Sequence, residues 1–193
     1  MSTGLVHSEE QRFLSSELDP LQLAWPAEED AASDSLEANH DYTDLRGLDW
    51  PEVERILGIE RKVVARLLAA EDAEAEWAAI CDELNGSAEH VADMLDGALY
   101  GLEPSAAAAV LALSALGAIP YWSDGGALHK RAAEVARPEA RFFALPAHVG
   151  ALVAAATEAN VSITLDAGRC VVRANDPHGL MDFAEALLRA HQA

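Results

Sequence analysis

The residues best suited to chemistry lie in one stretch, Ser123, Asp124, Gly125 and Gly126, with His129, Lys130 and Arg131 close behind. The pattern reads as a strand running into a glycine turn that opens a helix. Free N–H groups at a helix start, with glycines that let a ligand approach the backbone, make an anion site. Ser123 would donate a hydrogen bond, and His129, Lys130 and Arg131 would bring positive charge. Asp124 opposes this reading, because a carboxylate at a helix start repels a phosphate. The competing reading is that Asp124 caps the helix and the glycines only make the turn. Neither G-x-x-x-x-G-K-[ST] nor G-x-G-x-x-G occurs, so no nucleotide fingerprint is present and no cofactor is implied.

The other candidates are isolated. His40, Asp41 and Asp44 have oxygen and nitrogen donors, but an acidic loop holds hydrated ions loosely, and no metal site is expected. His148 and His178 are each expected in the first turn of a helix, where an imidazolium opposes the helix dipole. Neither can be matched with a nucleophile and an acid, so both read as structural histidines. The two cysteines, Cys81 and Cys170, stand on an apolar helix stripe and within a strand, as inert core thiols do. Trp25, Trp50 and Trp77 could anchor an interface, and core packing explains them at least as well.

The elements that must position these groups fall into two halves. A short helix is expected from Ser8 to Leu18, then an acidic loop over Ala27 to Asp44 flanked by Leu21, Leu23, Trp25, Leu45, Leu48 and Trp50. Residues 1–49 therefore read as an extension that docks, on its own domain or on a second copy. From Pro51 the chain is helical. Gly58 is expected to end a short helix, and a longer one follows from Glu60 to Leu84 with an apolar stripe through Val63, Val64, Leu67, Trp77 and Ile80. Ser87 caps a third helix that ends near Gly101. The run Pro104 to Leu116 (PSAAAAVLALSAL) is apolar all round and predicts a buried helix closed by Gly117.

Beyond it the period changes. Strands are expected over Ala118–Trp122, Arg141–Leu145, Val161–Leu165 and Arg169–Arg173, and helices over Gly126–Ala136, Ala147–Ala159 and from Asp176 to His191. Gly168 marks a hairpin turn. The order β-α-β-α-β-β-α predicts an α+β fold: an acidic helical region over residues 50–102, packed with a small mixed sheet over residues 103–193 and sharing its core.

The run Ala112 to Gly126 also resembles alanine-rich bacterial proteins of unassigned function. They share an A-L-x-A-L-G-x-[I/V]-[P/T]-x-x-S-x-x-G signature, here carried by Ala112, Leu113, Ala115, Leu116, Gly117, Ile119, Pro120, Ser123 and Gly126. The resemblance covers Leu95 to Leu188 and implies a β-α-β-β-α tail after the signature, with no established activity. Members of that group carry Cys and Asn where this chain has Asp124 and Gly125.

The whole-chain totals decide which partners are plausible. The 193 residues carry 33 acids against 13 bases, a formal net charge of −20. Phosphate neutralisation needs clustered Lys and Arg, so direct nucleic-acid binding is not expected, nor is attachment to an anionic membrane. The longest apolar stretch, Ala106 to Pro120, falls short of the ~20 residues that span a bilayer. Residues 1–10 lack the pattern of a signal peptide, and two well-separated cysteines suit a reduced compartment, so a cytoplasmic location is expected. The charge is uneven: residues 1–102 hold 24 acids and six bases, and residues 103–193 hold nine and seven. Such a field steers basic protein partners. The expectation is a non-enzymatic interaction protein of the immunity, antitoxin or anti-phage defence type. Its contact residues would be Glu71, Asp72, Glu74 and Glu76, four acids in six positions. Plain solubility explains the same charge. The alternatives are a ligand-binding or catalytic α+β domain using the Ser123–Gly126 loop, and a structural subunit that forms a homodimer through its N-terminal extension.

Overall fold

A computed structural model describes residues 18–31, 36, 44–86, 99–128 and 137–193. The expected helix from Ser8, the helix capped by Ser87 and most of the helix from Gly126 fall outside these residues. In chain order the elements are α1 (Glu28–Ala31), α2 (Trp50–Ala69), α3 (Ala73–Gly86), α4 (Ala107–Leu116), β1 (Ile119–Asp124), β2 (Glu139–Phe143), α5 (Val149–Glu158), β3 (Ser162–Asp166), β4 (Arg169–Arg173) and α6 (Gly179–Gln192). Among the described residues no helix is long and apolar enough to cross a membrane.

Helix α2 starts where Asp49 accepts the N–H of Glu52 at 3.0 Å, with Pro51 in the first turn. It does not stop at Gly58, as expected from sequence, but runs on to Ala69. Gly58 costs about 1 kcal/mol relative to Ala in a helix interior. The stripe Val53, Ile56, Leu57, Val63, Val64 and Leu67 crosses it unbroken and is buried, which offsets that cost. The break falls at residues 70–72 instead, where Asp72 accepts the N–H of Ala75 at 3.2 Å and starts α3.

Helix α4 is buried from Ala107 to Ser114, and Gly117, at φ +92°, ends it. Helices α4, α5 and α6 cover one face of the sheet, and α2 lies over α4 and α6 with α3 beside it. One apolar cluster draws on all of these layers, from Val53, Ile56 and Leu57 of α2 to Phe142 of β2 and Phe183 of α6.

The α+β class is the expected one, while the sheet differs in kind. Its order is β1-β2-β4-β3, and every pair is antiparallel, so it is not the mixed sheet the element order suggested. The reason lies in the β3–β4 hairpin. Helix α5 carries the chain past one vacant place before β3, and the hairpin folds β4 back into that place beside β2. Ala167 and Gly168 make the turn at φ +50° and +84°, the conformation of a two-residue hairpin loop.

The opposite face of the sheet is covered by the N-terminal extension. A bulge at Tyr121 puts Ile119, opposite Phe143, and Trp122, opposite Arg141, on that outer face. Ala31 and Leu36 pack there on Ile119, Tyr121 and Phe143, with Ala24 alongside. The strap is fastened at both ends of its described course. Ala24 N–H bonds to the Gly168 carbonyl at 2.8 Å, and Arg46 clamps Glu28 to Asp44 at 2.7 and 2.6 Å. A Cβ at Gly168 would lie 2.8 Å from the Gln22 carbonyl oxygen, so the strap needs glycine in this turn.

Candidate functional site

Four of the seven residues of the expected ligand loop can be placed, and they form a joint between two chain segments. Ser123 and Asp124 still belong to β1, opposite Ala140 and Glu139. Gly125 N–H donates to Glu103 Oε2 at 3.0 Å, and Gly126 N–H donates to Asp124 Oδ1 at 2.7 Å. The two amides that an anion would need are therefore held by carboxylates. A Cβ on Gly125 would stand 1.9 Å from the Pro104 carbonyl oxygen, so this glycine is where the segment leading into α4 lies directly on the end of β1. No helix begins at Gly126 to Leu128. A left-handed Gly126 (φ +80°) followed by a left-handed Ala127 (φ +53°) turns the chain instead. His129, Lys130 and Arg131 lie outside the described residues.

Beside this joint is a cavity of about 180 Å³, lined by Gly125, Leu128, Arg137, Pro138 and residues 175–177. It sits where β2 begins and where β4 leads into α6. The Asp176 carboxylate on its wall accepts the N–H of His178 at 2.8 Å and so serves the start of α6.

Sequence reasoning passed over a buried carboxyl, Glu60. It is fully enclosed, and its two oxygens accept the N–H groups of Ala107 and Ala108, each at 2.9 Å. A carboxylate from α2 thus fills the N-terminal turn of α4, which has no side-chain cap of its own. Burial pushes the carboxyl up to about 7, against the opposing pull of the N–H groups of Ala108, Ala107, Ser105 and Ala106. The signal was in the spacing: Glu60 falls on the stripe of Val53, Ile56, Leu57, Val63, Val64 and Leu67. The expected break at Gly58 hid it by making Glu60 a first-turn residue.

The four acids proposed as a contact surface are brought together at the α2–α3 turn, and they differ in what they do. Glu76 pairs with Arg66 at 2.7 Å, and Arg66 also holds Glu83 at 2.6 Å. Asp72 caps α3. Glu71 and Glu74 are exposed and make no ion pair among the described residues. Exposed Leu68 precedes them on α2, and the chain carries eleven carboxylates and no Lys or Arg between Arg66 and Lys130.

The remaining candidates have structural partners. His148 Nδ1 accepts the Leu145 N–H at 3.3 Å, and burial holds this imidazole below its ordinary value. Burial raises both thiols, Cys170 to about 12 and half-buried Cys81 in direction, so neither is a ready nucleophile. Trp50 stacks on His191 with ring centroids 4.7 Å apart, and Trp77 packs against the core, while Trp25 stays partly exposed. Asp44 is taken up by Arg46, and His40 and Asp41 lie outside the described residues. Among the described residues no group of three or more His, Cys, Asp or Glu is placed to hold a metal ion.

No protein-family model matches the chain, and neither a curated protein nor a solved structure resembles it significantly.

Proposed function

We propose that this chain is a non-enzymatic, cytoplasmic bacterial interaction protein whose acidic helical half engages a basic protein partner. Immunity proteins, antitoxins and anti-phage defence proteins that occlude a basic surface work by the same physics. The observation that supports the reading is the α2–α3 turn, where Glu71 and Glu74 are exposed and make no ion pair among the described residues, and where exposed Leu68 lies three positions before Glu71. Exposed carboxylates and an exposed apolar side chain in one turn suit a partner presenting Lys or Arg around a small apolar patch. The engagement of the Gly125 and Gly126 amides by Glu103 and Asp124 weighs against an oxyanion or phosphate chemistry at that loop.

The test is capture of partners from the source bacterium at low and at physiological ionic strength, using wild type and the Glu71→Lys, Glu74→Lys double variant. A stoichiometric basic partner that is lost both with salt and in the variant is the expected result. A partner that the double variant holds as tightly at both salt levels would overturn the reading. A second reading rests on the cavity beside Gly125, where Arg137 on the wall suits a small anionic ligand. Arg137→Ala would then abolish a thermal shift produced by small carboxylates, and would leave partner capture unchanged.

A further inference from the structure

The turn between β2 and α5 is held by a side chain that can do so in one protonation state only. His148 is the N-cap residue of α5, and its Nδ1 accepts the N–H of Leu145 at 3.3 Å. An imidazole accepts a hydrogen bond only while neutral, because both nitrogens are donors once it is protonated. The bond therefore places the ring's proton on Nε2. The other edge of the ring lies against Gly117, where a Cβ would stand 3.7 Å from both Cε1 and Nε2. Gly117 ends α4 just before β1, so this one ring ties the end of α4 to the start of α5.

We propose that His148 is an acid-released pin. The neutral ring closes the β2–α5 turn against the end of α4, and a proton on Nδ1 takes the acceptor away from Leu145 and opens the turn.

The charged groups on the surrounding elements are engaged elsewhere. Helix α4 carries none, and α5 carries only Glu158, in its last turn and held by Arg189 of α6. On α6, Asp182 and Glu185 meet Arg61. On β2, Glu139 and Arg141 pair with each other, and on β1 Asp124 accepts from Gly126 at the far end of the strand. Two helix ends meet at the ring. The N-terminus of α5 disfavours a positive ring. The C-terminal carbonyls of Leu113 and Ser114 in α4 already accept the N–H groups of Ala118 and Gly117. Burial acts in the same direction as the α5 terminus and holds the ring below its ordinary value of 6.5. The unfolded chain therefore takes up this proton at a higher pH than the folded chain does. The stability from the pin is present above 6.5 and is lost as pH falls from there through the lower value of the folded chain.

The experiment is an NMR titration of the full chain, followed at the His148 ring and at the Leu145 amide, with urea unfolding of wild type and His148→Asn. At neutral pH the ring should be the Nε2–H tautomer, with a midpoint below 6.5. The Leu145 amide should shift and lose its exchange protection with that same midpoint. Between about pH 7 and about pH 5 the wild-type folding constant should fall about fivefold more than that of His148→Asn, whose side-chain oxygen accepts at either pH. A ring midpoint at or above 6.5, or a Leu145 amide that does not follow the ring, overturns the pin. Parallel unfolding profiles for wild type and His148→Asn overturn it too. Should His148→Asn not fold, the wild-type titration decides by itself.

Discussion

The helical region and the sheet region both pair carboxylates with arginines, and they differ in the carboxylates left over. In the sheet, Glu139 on β2 lies between Arg141 and Arg173, the latter on β4, and Arg141 in turn covers the ring of Trp122 at 4.9 Å. Charge there is cancelled within the fold. In the helical region one carboxylate, Glu60, is buried against backbone N–H groups, while Glu71 and Glu74 are exposed and make no ion pair among the described residues. The lesson is that the net charge of −20 does not describe a single property. Some acids cap helices, some neutralise arginines, and a small set at one turn stays exposed.

This contrast can be broken at its strongest point, the joint between the segment entering α4 and the end of β1. Gly125→Ala would drive a Cβ onto the Pro104 carbonyl at 1.9 Å. Backbone cannot yield as a flexible side chain does, so a loss of about 3 kcal/mol or more in urea-derived stability is expected. Gly168→Ala should cost about 1–3 kcal/mol, because it adds a left-handed alanine and pushes away the Gln22 carbonyl that the strap brings to the hairpin. Proteolysis of the N-terminal extension should accelerate in that variant while α2 stays protected.

Removing an acceptor rather than adding an atom is milder. Glu103→Ala strands the Gly125 N–H, for an expected loss of about 1–2 kcal/mol by thermal or urea unfolding. Arg46 holds Glu28 and Asp44 below the usual carboxylate range, so the stability from this clamp is present above that range and is lost as pH falls into it. Arg46→Ala should remove that acid sensitivity, read as extension proteolysis against pH. The smallest effect sharpens the comparison from the other side. Glu71→Lys with Glu74→Lys should change stability by less than about 0.5 kcal/mol, since both groups are exposed and make no ion pair among the described residues. Its consequence should be confined to partner binding.

Local signals made much of the framework legible. Asp49 and Pro51 announce the start of α2, Gly117 ends α4, and Ala167 with Gly168 turns the hairpin, because each acts through its own backbone and nearest neighbours. The strand Arg169–Arg173 was placed to the residue. What was misread depended on partners distant in sequence. Gly58 looked like a stop until a continuous buried stripe carried the helix through it. Ser123 to Gly126 allowed either an anion cradle or a plain glycine turn from sequence, and that Glu103, 22 positions before Gly125, holds its amide could not be read from the loop itself.

What the amino-acid sequence determined alone is the four strands and the helices α4, α5 and α6, the acidic bias of the first half and the missing nucleotide fingerprints, all local or compositional properties. The tertiary structure decided the rest. It placed β4 between β2 and β3, laid the extension on the outer face of the sheet, and brought Glu60 to the N-terminus of a helix that begins 47 positions later. The physical reason is common to all three. Burial and hydrogen bonding depend on which groups meet in space, and a carboxylate is a surface charge, a helix cap or a partner for arginine according to what surrounds it.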